Sequence, residues 1–292
     1  MMKKNRLFGM MLLSAATALL TSCTNDLTDE RQGEVPITLT TAVIESQDPM
    51  ATRADADVQS TQLPSGATFV AEFSGDDVSV SSAIYTADGS GGAITTMQPC
   101  FTLSSSASSS TTVHAYCPSK ASGTFSVQAN QSTDDAYKAS DLMYATADIH
   151  KSSPTGALTF AHKMAKIIVN ATVGDGISSI TAVKIVGGSR TVNITDATTC
   201  TLGTTLTDAL SASSPITVWT GSQTSGTLSC AALIPPQTVT NSDFLVITAD
   251  GEDFIYNVDS KAFATGLSYT FNVTITGWAS RKIRTVPLRD TK

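Results

Sequence analysis

Covalent chemistry is best supported near the start of the chain, where Cys23 closes the tetrapeptide Leu20-Thr21-Ser22-Cys23. Ahead of it lie a basic start with Lys3, Lys4 and Arg6 and an apolar run from Leu7 to Leu20. That combination is a secretory signal peptide, and the run is too short for a comfortable span, which takes roughly 20 apolar residues. Small residues before a Cys read as a lipobox. A lipoprotein signal peptidase would cut there, and thioether attachment of diacylglycerol to Cys23 would tether the mature chain. Several acyl chains, at about 0.8 kcal/mol per buried methylene, hold a protein on a membrane without a spanning helix. The alternative is an ordinary signal peptide that happens to contain a Cys.

The second reactive position is a peptide bond. The stretch Glu45 to Gln62 is polar and carries Ala51-Thr52-Arg53-Ala54, so it reads as a linker. An exposed Arg in such a segment is open to a trypsin-like protease, which would cut between Arg53 and Ala54. The plainer reading is a disordered spacer between lipid and domain.

Elsewhere the reactive inventory is thin. Only His114, His150 and His162 are available, and neither a Gly-x-Ser-x-Gly elbow nor a His-Glu-x-x-His helix occurs. His162 falls between Phe160 and Met164 on an apolar strand face, which favours a core or inter-domain histidine satisfied by a backbone carbonyl over a catalytic base. His114 faces away from Val113 and Ala115 and has no acidic neighbour in sequence. Asp76-Asp77 and Asp134-Asp135 lack the spacing of a calcium loop and read as solvated turn acids. Cys100, Cys117, Cys200 and Cys230 permit two disulfides or four buried thiols, and the absence of a Cys-x-x-Cys pair leaves zinc or redox chemistry little support. No enzyme, cofactor or metal is expected.

The elements that would position these residues are strands. In 292 residues, charged side chains make up 15% and aromatics 6%, while Thr, Ser, Val, Ala and Gly dominate. That suits strands joined by small polar turns rather than helical bundles. The net charge of −7 argues against a nucleic-acid partner. Val35, Ile37 and Leu39, then Ala42-Val43-Ile44, predict one strand near the N-terminus. Ile84 to Ala87 runs into the turn signal Asp88-Gly89. Thr102 to Thr112 is a Ser/Thr-rich exposed loop. Asp134 to Ala147 holds a short helix or a strand. Leu158, Phe160, His162 and Met164 share one parity and Ile167, Val169, Ala171 and Val173 the other, which implies a bulge or a crossing at Ala165-Lys166.

Beyond that point come strands at Ile180 to Val186, Thr191 to Thr195, Ile216 to Trp219 and Leu228 to Ile234. Phe244 to Thr248 and Phe254 to Val258 make a hairpin around Asp250-Gly251, and Tyr269, Phe271, Val273 and Ile275 alternate as a half-buried strand. Segments at spacings of about 8 to 12 residues predict two tandem β-sandwiches. The expected division is a signal peptide (1–22), an N-terminal propeptide (23–53), an N-terminal sandwich (54–165), a C-terminal sandwich (166–278) and a tail (279–292).

Five motifs together resemble the fimbrillin family of type V pilins and their lipoprotein relatives: His114-Ala115-Tyr116-Cys117-Pro118, Asp141-Leu142-Met143-Tyr144-Ala145, the run Leu158 to Ile167, Leu233-Ile234-Pro235-Pro236-Gln237, and Gly266 to Val273. The resemblance implies an all-β protein with two transthyretin-like sandwiches, exported as an outer-membrane lipoprotein to the cell surface. It implies that an Arg-specific protease, matched here to Arg53, removes a segment containing the first strand. The groove so exposed would accept a strand from another pilin subunit by β-augmentation, an open-ended contact that builds a fibre. Ile283, Val286 and Leu288 in the tail are the candidate donor residues, although Ile283 and Val286 differ in parity; a disordered basic end is the other reading. A stalk pilin, a tip adhesin or ligand-binding lipoprotein, and a basal anchor all remain open.

Overall fold

Period-two burial shapes nearly every element. The computed structural model describes residues 34–44, 62–75, 77–118, 123–277 and 284–285. Cys23, Arg53, Ala54, Ile283, Val286 and Leu288 lie outside the described residues. The first half supplies β1 (Val35–Pro36), β2 (Thr38–Val43), β3 (Thr68–Ser74), β4 (Ser82–Ala87), β5 (Gly92–Ile94), β6 (Cys100–Phe101), β7 (Ser110–Cys117), β8 (Thr124–Ser126), the helix α1 (Asp134–Ala139), β9 (Met143–His150) and β10 (Thr155–His162). The second half supplies β11 (Ala165–Val173), β12 (Ile180–Ile185), β13 (Ser189–Asp196), β14 (Thr201–Ala209), β15 (Ile216–Gln223), β16 (Thr227–Ile234), β17 (Gln237–Ala249), β18 (Glu252–Phe263), β19 (Ser268–Ile275) and β20 (Arg284–Thr285). The all-β expectation holds.

Seven strands of the first half close on themselves in the order β10-β2-β5-β4-β3-β7-β9. Closure removes free edges, which otherwise template unwanted pairing. Phe69, Ala71 and Phe73 on β3 and Ala83, Tyr85 and Ala87 on β4 point inward, packing with Phe101, Leu158 and Phe160. Phe69 stacks on Tyr85 with centroids 5.4 Å apart and meets Phe160 edge-on at 5.4 Å, geometries that aromatic quadrupoles favour. The predicted turn at Asp88-Gly89 joins β4 to β5, and the Asp88 carboxylate accepts from the N–H groups of Ser90 and Gly92 at 2.7 and 2.9 Å.

In the second half, β16-β11-β19-β20 and β15-β12-β17-β18 form two four-stranded sheets whose inward faces share one hydrophobic cluster, and β14-β13-β8 forms a smaller sheet. The β17–β18 hairpin turns at Asp250-Gly251, both with positive φ (50° and 81°), as a two-residue loop of this twist requires. Gly and Asp tolerate that region. The half-buried strand expected at the end is β19, where Tyr269, Phe271, Val273 and Ile275 are buried and Asn272 and Thr274 exposed.

Four expectations are revised. The single strand from Val35 to Val43 splits at Ile37: β1 pairs with β6, whereas β2 joins the ring. The Ser/Thr-rich stretch stops being loop at Ser110, where β7 begins and Thr111 turns inward to bond the Ser74 carbonyl at 2.6 Å. Asp134 to Ala147 contains both a helix and the start of a strand, the helix being capped by Thr133 with Asp134 and Asp135 in its first turn. Met164 leaves the face of Leu158 and Phe160 and packs into the second cluster. Residues that precede it, Tyr116, Phe125, Val127, Tyr137 and Leu142, also lie in that second cluster.

Candidate functional site

The site that the sequence points to most strongly is the place occupied by β2. Its residues and Ile37 just before it alternate, with Ile37, Leu39, Thr41 and Val43 buried and Thr38 and Thr40 exposed, so one face of a short segment fills the ring's interior. On one side β2 runs parallel to β10 through six residue pairs, from Thr38 opposite Thr155 to Val43 opposite Phe160. On the other it meets β5 at only two, Leu39 opposite Ala93 and Thr40 opposite Gly92. Every other pair in the ring is antiparallel. The strand is therefore laid into the ring rather than folded into it through a hairpin.

Backbone hydrogen bonds mark both ends of this seat. The N–H groups of Ile37, Thr38, Thr41 and Ile44 donate to the carbonyls of Pro99, Pro154, Gly91 and Phe160 at 2.7 to 2.9 Å. Gly156 on β10 stands opposite Leu39, and a Cβ there would sit 2.6 Å from Ile149 Cδ1 and 3.0 Å from Leu39 Cδ2, so the glycine makes room for the leucine. Thr41 Oγ1 is buried without a hydrogen-bond partner. Such a hydroxyl loses its water without recompense, at roughly 1–3 kcal/mol. Full burial of Ile37, Leu39 and Val43 contributes roughly 1.5–3 kcal/mol each, so the seat without its strand would expose a deep apolar groove between β10 and β5.

At the end where β2 finishes, the ring opens into a cavity of about 460 Å³. Val43, Leu63, Ala67, Cys117 and Met143 form its apolar wall, and Asp135, Lys138 and Asp141 its polar side. Asp141 is 1% exposed, and its two carboxylate oxygens lie 2.9 and 2.8 Å from His162 Nδ1. The expected backbone-carbonyl partner of His162 is thus replaced by a carboxylate from the segment before β9. Burial works against the charged imidazole, but the charge and hydrogen bond of Asp141 outweigh it and raise the His162 pKa, with Lys166 opposing. Burial, then Asp141, pushes the Cys117 thiol up to about 12, so it is a poor nucleophile at neutral pH.

His114 is engaged by Tyr144, with Nδ1 2.9 Å from the phenol oxygen. All four described cysteines are buried thiols rather than disulfides. Among the described residues no three His, Cys, Asp or Glu side chains come together to hold a metal, and no helix is long and apolar enough to cross a membrane. Sequence reasoning missed Asp141 as a partner, since the acid lies 21 residues from His162. Its signal was an Asp leading directly into the apolar run Leu142-Met143.

A further contact surface ties the ring to the second half. Tyr116 Oη donates to the Ala197 carbonyl, Tyr144 Oη donates to the Thr198 carbonyl at 2.6 Å, and β8 pairs with β13. The buried Gln131 side chain donates to the Leu233 carbonyl at 2.9 Å and accepts from the Leu233 N–H at 2.8 Å.

Solved structures with a similar fold include candidate cell adhesion proteins of three Bacteroides species. The Bacteroides ovatus protein has 15% identity and a TM-score of 0.61, over 89% of this chain and 98% of that one. The Bacteroides uniformis protein has 20% identity and a TM-score of 0.61, over 89% and 99%. The Bacteroides fragilis protein has 11% identity and a TM-score of 0.53, over 88% and 98%. No curated protein has a matching sequence. The fimbrillin-like family description matches residues 38–287, from the first residue of β2 to just past β20, so strand and seat both fall inside the match and the chain belongs to the fimbrillin-like family.

Proposed function

We propose that this protein is a structural subunit of a cell-surface pilus, exported as a lipoprotein through Cys23 and assembled when a strand from a neighbouring subunit takes the place of β2. Family membership makes it a pilus- or adhesion-related surface protein rather than a member of an enzyme family. The observation that carries the finer reading is the construction of β2. It is a parallel strand with one buried face, held by six pairs on one side and two on the other. It is joined to the rest of the ring through residues 45–61, which contain Arg53. One cut after Arg53 by an Arg-specific protease turns β2 from a covalent part of the ring into a replaceable ligand. Main-chain pairing along β10 then supplies register for a newcomer, and the positions of Ile37, Leu39, Thr41 and Val43 supply side-chain specificity.

The tail is the proposed donor. Its described part, β20, holds its own sheet by two residue pairs, Val273 with Thr285 and Thr274 with Arg284. A tip adhesin, anchor or ligand-binding lipoprotein would use the same seat without donating a tail.

The test is direct. Purified mature protein is cut after Arg53 with a trypsin-like protease and examined by size exclusion and by unheated gel electrophoresis, with ladders of oligomers as the expected result. Cut protein that stays monomeric removes the stalk reading. Mass spectrometry of protein from its native cell reports diacylglycerol on Cys23 and the new N-terminus at Ala54 together.

A further inference from the structure

The seat of β2 does not end where β2 ends. Val43 is the last inward residue of the strand, and it forms part of the wall of the cavity at the ring's mouth. The strand ends converge on that mouth: β2, β10 and β7 finish there, β7 at Cys117, and β9 and β3 begin there at Met143 and Thr68. Cys117 and Met143 are register partners on the neighbouring strands β7 and β9, and together they form part of the cavity wall beyond β10. Beyond Phe160, which faces Val43, β10 continues through Ala161 and His162, which pair on their other edge with Tyr144 and Met143 of β9. The edge of β10 that holds β2 therefore runs two residues past the end of β2.

Resting on the strand-exchange reading above, we infer that this cavity is a fifth side-chain seat, and that the strand donated by a second subunit is longer than β2 and places a large apolar side chain in it. The seats of Ile37, Leu39, Thr41 and Val43 recur every second residue, and the next inward position falls two beyond Val43. An apolar occupant is favoured over a cationic one because both oxygens of Asp141 already face His162 and the remaining wall carries one acid and one base, Asp135 and Lys138, beside Val43, Leu63, Ala67, Cys117 and Met143. A cavity of about 460 Å³ accommodates a Leu, Phe or Trp side chain with room to spare, and barrel mouths are common places for such pockets. The cavity is continuous with a surface already filled by a strand, which is what distinguishes it from an isolated apolar patch.

Three peptides test this on protein cut after Arg53. The first carries residues 35–44 of this sequence. The second extends it to residue 46 with the natural Glu45, and the third replaces Glu45 with Phe. Fluorescence anisotropy with labelled peptides reads their affinities. The Phe peptide should bind about tenfold more tightly than the Glu peptide, the gain expected of one well-buried side chain. The gain should vanish in Ala139→Trp, where the added indole on α1 fills the mouth while the positions facing β2 stay unchanged. Equal binding of the Phe and Glu peptides, or a gain that survives Ala139→Trp, overturns the fifth seat and leaves strand exchange standing. No binding of any peptide removes strand exchange itself, and the fifth seat with it. Should Ala139→Trp fail to fold, Ala67→Phe blocks the same cavity from its other wall.

Discussion

His162 shows how one side chain ties the stability of this fold to pH. Its folded pKa is raised above the ordinary value of 6.5 by Asp141, despite burial. A raised value means that the protonated form is preferred by the native state. The stabilising contribution is therefore complete below about pH 6.5 and is lost as pH rises through the folded pKa. Melting temperature should fall across that interval in the native protein, and the slope should be absent in His162→Gln. Tyr269 offers a second test at this scale. Its ring meets Phe263 edge-on at 5.0 Å and its hydroxyl accepts from the Ala264 N–H at 2.8 Å. Tyr269→Phe should cost about 1 kcal/mol and Tyr269→Asp at least about 3, both read by denaturant unfolding. An unchanged midpoint in Tyr269→Asp would show that the ring is not packed as described.

Among the elements, β2 carries the most specific expectations. Leu39→Ala should destabilise the uncut protein by about 2–5 kcal/mol, since the leucine is 2% exposed in a packed interior. Gly156→Val should cost about 1–3 kcal/mol by crowding Ile149 and Leu39, and should speed the loss of β2 after cutting. Thr41→Val should do the opposite and raise the melting temperature, because it removes a buried hydroxyl that has no partner.

Much of this level was readable from residues. The alternation in β19, the Asp250-Gly251 hairpin and the inward Ile37 and Leu39 follow from period two and turn chemistry, whereas the inward turn of Thr41 is not announced by its residue type. What escaped was non-local or polar. β14, with Thr201, Thr204, Thr205 and Thr207 among its residues and most side chains exposed, has only Leu202 and Leu206, four residues apart, to announce an inward face. The parallel pairing of β2 with β10 joins residues more than 110 positions apart, and no local pattern encodes such a partner. The cavity and the His162–Asp141 pair arise only where separate segments converge.

At the scale of the whole molecule, two hydrophobic cores are coupled through side chains that begin in one half and finish in the other. Tyr116 extends from a ring strand into the second cluster, and Gln131 holds the Leu233 backbone from both sides. A chain joined in this way transmits a load between its two halves through packed contacts as well as through its covalent backbone. Cutting after Arg53 should therefore soften the first core while the second stays intact, visible as two separated unfolding transitions in cut protein against closer ones in uncut protein.

The four buried sulfhydryls turn that expectation into a clock with positional resolution. Cys117 stands at the ring mouth beside Val43, Cys100 backs onto Pro36, and Cys200 and Cys230 lie in the other core. A maleimide pulse followed by peptide mapping would time-stamp each sulfur separately. Departure of the first strand should unmask Cys100 and Cys117 within the pulse while Cys200 and Cys230 stay dark, and arrival of a replacement strand should shut the signal off again.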